Sequence, residues 1–148
     1  MMFDLERIGA AARAAARQLA VLDTEKKNQV LMAAADALDQ GENQAVILRA
    51  NAEDLAIADQ NQMAAGLRDR LRLTGERLHA MADAIRDIAA LEDPVGEVLS
   101  ETERPNGLRL QKVAVPIGVI GIIYEARPNV TSDAWSLCFK TANAVILK

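Results

Sequence analysis

The 148-residue sequence contains few of the residue types that usually indicate a stapled, metal-bound or aromatic-rich protein. Its one cysteine, Cys138, excludes an internal disulfide and favours a reducing compartment, with the cytoplasm as the default. Its one histidine, His79, and that distant cysteine form no convincing metal site, so no metal is expected. Aromatic residues make up 3%, so the core must be built from Ala, Leu, Ile and Val.

Long apolar runs and an excess of positive charge are missing too. No run of about 18 apolar residues is present, so no membrane span is expected. Residues 1–20 carry five charges in place of the apolar segment of a signal peptide. The net charge of −4 argues against nucleic acid and anionic membranes as partners. The remaining composition, 51% hydrophobic and 26% charged, is typical of a soluble globular protein.

From residue 3 to about residue 91, the apolar residues recur with the period of a helix. Asp23 or Thr24 is expected to cap the second helix, Gly41 to end it, and Thr74 to cap the last one. Two stripes are the clearest; they comprise Leu5, Ile8, Ala12, Ala15, Leu19 and Leu22 in the first helix, and Leu78, Met81, Ala82, Ile85, Ile88 and Ala89 in the last.

After residues 93–96, Asp-Pro-Val-Gly, the period changes to that of strands. Residues 98–104 and 108–115 are joined by Pro105-Asn106-Gly107, which predicts a β-hairpin. Its first strand is too polar for a buried position, so we expect an extended ribbon that reaches away from the body of the protein.

Residues 117–124 are apolar on both faces, as a strand inside a parallel sheet requires. Residues 130–141 predict a helix and residues 144–147 a second strand, which completes a βαβ unit and an α/β fold. Two such strands need further sheet neighbours, yet the sequence ends at Lys148. We therefore expect either a longer natural protein with more of the sheet, or pairing with another chain.

The junction after the first parallel strand is the best candidate for a binding site, because ligands of α/β sheets bind beyond the carboxyl ends of the strands. Arg127 could bind a carboxylate or phosphate through its guanidinium fork. Asn129 could donate its amide to a developing oxyanion. The alternative is a solvated loop in which Asn129 only caps the following helix. Lys148 either meets the ribose or phosphate of a nucleotide or is merely a charged strand end.

Two further features favour structural roles over chemical ones. Gly118 and Gly121 lie within the strand instead of after it, so they predict close approach of a neighbouring element and no phosphate loop. Cys138 lies on the apolar stripe of its helix, where a thiol is inert. His79 lies off the apolar stripe and is expected to be exposed.

Residues 115–131, Val-Pro-Ile-Gly-Val-Ile-Gly-Ile-Ile-Tyr-Glu-Ala-Arg-Pro-Asn-Val-Thr, strongly resemble the γ-glutamyl phosphate reductase family, also called glutamate-5-semialdehyde dehydrogenases. Other segments fit the same family in order; they are residues 71–74, 81–83, 93–97, 104–108 and 137–148. One departure is Ala142, where the family usually has glycine.

The resemblance implies an aldehyde dehydrogenase-like fold that contains N-terminal helices, an incomplete Rossmann-type parallel sheet and an extended β-hairpin. It implies that residues 1–97 form the helical part of the cofactor-binding domain. Residues 98–115 would be an oligomerisation hairpin, through which the full-length protein forms a homo-oligomer. Residues 116–148 would be the first βαβ unit of a truncated NADP-binding domain.

The resemblance also implies a reaction of L-proline biosynthesis, in which NADPH reduces L-glutamyl 5-phosphate to L-glutamate 5-semialdehyde and phosphate is released. A cysteine of the family attacks the acyl phosphate and gives a thioester that hydride then reduces. That cysteine lies beyond Lys148 in the family, so we expect this chain alone to be inactive.

The implied roles of individual residues are cofactor binding for Tyr124, Glu125 and Lys148, and oxyanion stabilisation for Asn129. Arg127 as the substrate-anion contact is a hypothesis from the residues themselves. Two alternatives remain open: a non-catalytic helical and βαβ module for oligomerisation or binding, and a piece of another aldehyde dehydrogenase.

Overall fold

A computed structural model describes residues 4–125 and 127–148, and within them the chain forms six helices and four strands. The helices are α1 (Leu5–Leu19), α2 (Thr24–Asp39), α3 (Gly41–Gln60), α4 (Ala65–Leu71), α5 (Gly75–Ala90) and α6 (Pro128–Lys140). The strands are β1 (Val98–Glu103), β2 (Arg109–Val113), β3 (Val119–Ile122) and β4 (Ala144–Leu147). None of these helices combines the length and hydropathy that are needed to cross a bilayer.

The predicted helix starts are confirmed by side-chain caps. Asp23 accepts a hydrogen bond from the backbone N–H of Lys26 at 2.7 Å, and Thr74 accepts one from that of Arg77 at 3.1 Å. Each side chain satisfies an amide that the first turn of a helix leaves unpaired. The prediction that Gly41 ends the second helix is wrong, because α2 ends at Asp39 and Gly41 is the first residue of α3. The extended backbone of Gln40 separates the two helices.

The core lies between α2 and α5, with α6 packed across them. The predicted apolar face of α5 is confirmed, since it supplies most of the fully buried residues. Small alanines let the helices approach closely, and the larger side chains of α6 close one end of the core. The buried cluster comprises Leu31, Ala35, Ala82, Ile85 and Ala89, with Trp135 and Phe139 packed against it.

Strands β3 and β4 are parallel and joined through α6, which confirms the predicted βαβ unit. β3 is shorter than the predicted run of residues 117–124, and Ile117 and Ile123 at its two ends are 81% and 84% exposed. The sheet of the described chain has two strands, with α1 and α6 as its main helical neighbours. Burial of the apolar run is therefore less complete than its composition predicts.

Strands β1 and β2 form the predicted antiparallel hairpin, with a bulge between Val98 and Ser100. The Gly107 N–H donates to the Arg104 carbonyl at 2.8 Å, and Gly107 has a φ of 83°, which fits a turn followed by a left-handed residue. Every residue of both strands is exposed. The prediction of an extended, solvated ribbon is thereby confirmed.

Helix α6 ends in a left-handed turn at Ala142, whose φ is 57°. The Asn143 N–H donates to the Cys138 carbonyl at 2.8 Å, and the Ala142 N–H donates to that of Phe139 at 3.0 Å. This pair of bonds is the Schellman motif, in which glycine is preferred at the left-handed position. An alanine therefore holds a strained conformation at the entry to β4.

Candidate active site

The carboxyl end of β3 brings Tyr124 next to Lys148. The Tyr124 N–H donates to the Lys148 carbonyl at 3.0 Å, and the Lys148 N–H donates to the Ile122 carbonyl at 3.0 Å. The parallel ladder thus continues past the ends of both strands and fixes the two backbones side by side. The Tyr124 hydroxyl also forms a 2.5 Å hydrogen bond with the Thr131 hydroxyl, which ties the strand end to α6. Glu125 and Lys148 are exposed at this edge.

Helix α6 begins one residue earlier than a cap at Asn129 would require. Arg127 is the N-cap, without a side-chain capping bond, and Pro128 is the first helical residue. Proline fits there because its missing N–H would have no helical partner. Asn129 lies in the first turn, where its amide donates to Asp133 at 3.0 Å. The alternative in which Asn129 caps the helix is therefore wrong.

Arg127 and Asn129 line a cavity of about 410 Å³ that lies between α6 and the α4–α5 region. This volume is within the usual range of small-molecule sites. Its floor is apolar and includes Met81, while its walls are mostly charged. The charged side chains that line it are Asp69, Arg70, Arg72, Arg77, Arg127 and Asp133. The surroundings are therefore suited to a ligand that carries negative charge.

The segment from Asp69 to Leu73, which carries two of these arginines, is held from two sides. Buried Asn51 on α3 donates to the Leu71 carbonyl at 2.9 Å and accepts from the Leu73 N–H at 2.8 Å. Arg77 on α5 donates to the carbonyls of Asp69 and Arg72, both at 2.6 Å. The segment is consequently fixed before any ligand binds.

The structure thus divides the predicted site residues into two groups. Tyr124, Glu125 and Lys148 stand at the carboxyl edge of the two-stranded sheet, whereas Arg127 and Asn129 line the cavity. Sequence reasoning did not identify the arginines of the α4–α5 region, which are nearly sixty residues away in the chain. The only available signal was the alternation of arginine and leucine in residues 70–73.

Cys138 and His79 are positioned as predicted. Cys138 is buried, and burial raises the pKa of its thiol, which disfavours the reactive thiolate. His79 is exposed on α5, where its ring contacts Asp39 at 2.9 Å. That hydrogen bond, with the negative charges of Asp83 and Asp39, raises the pKa of His79. Neither side chain lines the cavity.

The βαβ unit, the packed helices and the extended hairpin define an α/β protein of the aldehyde dehydrogenase-like class. Within that class, the chain is related to γ-glutamyl phosphate reductase, which confirms the resemblance read from the sequence. Among solved structures, the γ-glutamyl phosphate reductase of Thermotoga maritima matches 98% of this chain with a TM-score of 0.93 and 39% identity. That of Saccharomyces cerevisiae matches 100% with a TM-score of 0.90 and 37% identity.

Curated relatives carry the same name. The γ-glutamyl phosphate reductase of Brucella anthropi is 55% identical over 97% of this chain, and that of Agathobacter rectalis is 55% identical over 99%. The chain spans 33% and 35% of the length of these two relatives, and 34% and 37% of the two solved chains. No protein-family model matches the chain.

Proposed function

We propose that this chain forms the cofactor side and part of the substrate pocket of an NADP-dependent γ-glutamyl phosphate reductase. The enzyme reduces L-glutamyl 5-phosphate to L-glutamate 5-semialdehyde and releases phosphate, a step of L-proline biosynthesis in the cytoplasm. The observation that supports this proposal is 55% identity over nearly the whole chain to proteins of that name, together with the shared fold.

The donor groups at the carboxyl edge of β3 and β4 suit a nicotinamide dinucleotide. The exposed ammonium of Lys148 can bind a ribose hydroxyl or a phosphate, and the exposed carboxylate of Glu125 can accept from ribose hydroxyls. Tyr124, which bonds to Thr131, holds the turn between them and α6. NADPH supplies the hydride when it is bound.

Asn129 is proposed as the oxyanion donor and Arg127 as a contact for the substrate anion. The Asn129 amide has two N–H groups, of which one is directed to Asp133, so the other can donate to an oxygen in the cavity. The nucleophile is proposed to be a cysteine outside residues 1–148, because burial makes Cys138 unsuitable. On this basis the 148-residue chain alone has no reductase activity.

The division into parts also belongs to this proposal. Residues 1–97 are assigned to the helical part of the cofactor domain and residues 116–148 to the start of its NADP-binding sheet. The hairpin of residues 98–115 is assigned to homo-oligomerisation. Its exposed Leu99, Leu108 and Leu110 side chains support that role, because such a two-stranded ribbon gains stability by packing against another surface.

A hybrid enzyme tests the activity. Residues 1–148 replace the aligned third of the Brucella anthropi reductase, and the hybrid is assayed by NADPH formation from glutamate 5-semialdehyde, NADP and phosphate. We expect an active hybrid that tolerates Cys138→Ala. Lys148→Ala should raise the KM for NADP, while Lys112→Ala on the hairpin should leave it unchanged. Asn129→Ala should lower kcat by about 10²–10³-fold, the effect of removing one oxyanion donor.

Two results would contradict the proposal. One is a folded hybrid without activity. The other is NADPH formation by the 148-residue chain alone that survives Cys138→Ala, since that chain would then hold a complete active site of another kind. For the hairpin, Leu110→Asp should lower the mass of the hybrid in light scattering. Leu5→Asp, at an exposed position of α1, is its control.

A further inference from the structure

The cavity between α6 and the α4–α5 region contains more positive charge than its fold requires. Four arginines and two aspartates line it. Arg77 is occupied by the backbone of Asp69 and Arg72 and by the Asp69 carboxylate at 3.2 Å, so its role is structural. The charged heads of Arg70, Arg72 and Arg127 remain to be explained.

Arg72 is the best placed of the three to bind a ligand. Its backbone is fixed through its own carbonyl and through the bonds of Asn51 to its two neighbours. Its guanidinium approaches a carboxylate only at Asp69, at 3.9 Å, which exceeds a hydrogen-bond distance. Its side chain is about half exposed (51%) at the cavity wall. Among the described residues, Arg70 takes part in no ion pair.

The opposite wall, at the start of α6, carries both signs of charge. Arg127 contributes a guanidinium and Asp133 a carboxylate, and Asn129 lies one turn from Asp133 on the same helix. A ligand that fits these walls carries a carboxylate and an ammonium group on a short chain. An α-amino acid has that combination, and a purely anionic phosphate does not.

We propose that this cavity binds the amino-acid end of the substrate and that Arg72 is a specificity-determining residue. The α-carboxylate lies between Arg72 and Arg127, and the α-ammonium faces Asp133. The far end of the glutamyl chain then points to Asn129, where the reacting carbonyl belongs. This inference rests on the proposed function and adds to it the residues that distinguish a glutamyl substrate from other acyl groups.

Binding of stable substrate analogues to the ¹⁵N-labelled 148-residue chain tests the inference without catalysis. L-Glutamate should cause saturable NMR shifts at residues 69–73 and 127–133. γ-Aminobutyrate, which lacks the α-carboxylate, should bind at least about tenfold more weakly, as the loss of one charge-assisted hydrogen bond predicts. Glutarate, which lacks the ammonium group, should also bind more weakly.

Variants identify the arginine. Arg72→Gln should weaken L-glutamate binding about tenfold or more, Arg72→Lys should weaken it less, and Arg17→Gln on α1 should not change it. Because the fold uses the Arg72 carbonyl and not its guanidinium, the variants should keep the dispersed spectrum of the parent chain. Absence of shifts at residues 69–73, equal binding of γ-aminobutyrate, or insensitivity to Arg72→Gln would overturn the inference. An active hybrid enzyme would still leave the proposed function standing.

Discussion

Lys27 and Asp93, on α2 and on the segment after α5, form a buried ion pair in which Nζ lies 2.5 Å from Oδ2. The lysine side chain is 1% exposed and the aspartate side chain 10%. Thr24 donates to the same carboxylate at 2.6 Å, and the Val95 N–H donates to its other oxygen at 3.1 Å. Asp93 thus fastens the start of the hairpin segment to the helical core.

Removing the Asp93 carboxylate should destabilise the protein severely. Asp93→Ala leaves the Lys27 ammonium buried without its counter-ion, a change that costs about 3–5 kcal/mol in comparable pairs. Urea unfolding measures the loss. Asp59→Ala, which breaks the exposed ion pair with Arg68, is the control and should have a much smaller effect. Equal effects of the two substitutions would mean that burial does not strengthen the Lys27–Asp93 pair.

The same pair should be visible in acid. Burial alone would raise the pKa of Asp93, but the hydrogen bonds from Lys27, Thr24 and Val95 outweigh it and hold the pKa below its usual 3.8. The pair therefore stabilises the fold above pH 3.8, and this contribution is lost as the pH falls through the lower folded-state value. Asp93→Asn should flatten that part of the pH dependence of the unfolding free energy.

His79 should titrate above its ordinary pKa of 6.5. The hydrogen bond to Asp39 is the main cause, followed by the charge of Asp83 at 3.5 Å. A raised pKa means that the contribution to stability is complete below pH 6.5 and is lost as the pH rises through the folded-state value. The ring signals of the single histidine give the midpoint by NMR. Asp39→Asn should lower it more than Asp83→Asn, and the reverse order would contradict the assignment.

Ala142 and Ala144 offer a matched pair of substitutions. Both alanines are buried, at 1% and 8% exposure, but only Ala142 is left-handed. Glycine removes a buried methyl group at either site, and at Ala142 it also relieves the backbone strain. Ala144→Gly should therefore cost about 1–2 kcal/mol more unfolding free energy than Ala142→Gly, as measured by denaturant unfolding. Equal losses would show that the Schellman turn tolerates alanine without strain.

The Cys138 thiol should be inert in the folded chain. Burial both blocks access and raises the pKa, so little thiolate is present at pH 8. A disulfide reagent such as Ellman's should react far more slowly with the native chain than with the chain in urea. Rapid native reaction would indicate that α6 opens readily from the core.

The local features of this fold were predictable because they depend on neighbouring residues. Thr74 caps α5, Gly107 turns the hairpin, and the apolar stripe of α5 is buried as its spacing indicates. The wrong expectations concern single boundary residues, where Gln40 and Arg127 occupy the junctions that Gly41 and Asn129 were expected to occupy.

The buried lysines and the arginine wall could not be predicted in this way. Lys140 is 2% exposed because its ammonium donates to Asn28 and to the Ala89 carbonyl, which belong to two other helices. Likewise, Arg72 meets Arg127 only because α5 and α6 pack side by side. Such pairings follow from tertiary packing, and a single sequence contains no periodic signal for them.

Asn51 contacts the extended residues Leu71 and Leu73 as a strand would, with one acceptor and one donor on a single amide. A helix side chain thus replaces a missing strand neighbour. Aspartate has the same shape but no donor, and leucine has neither group. Substitution tolerance at this position is therefore set by the backbone opposite, and a change made on α3 would reach the arginine wall without touching any ligand.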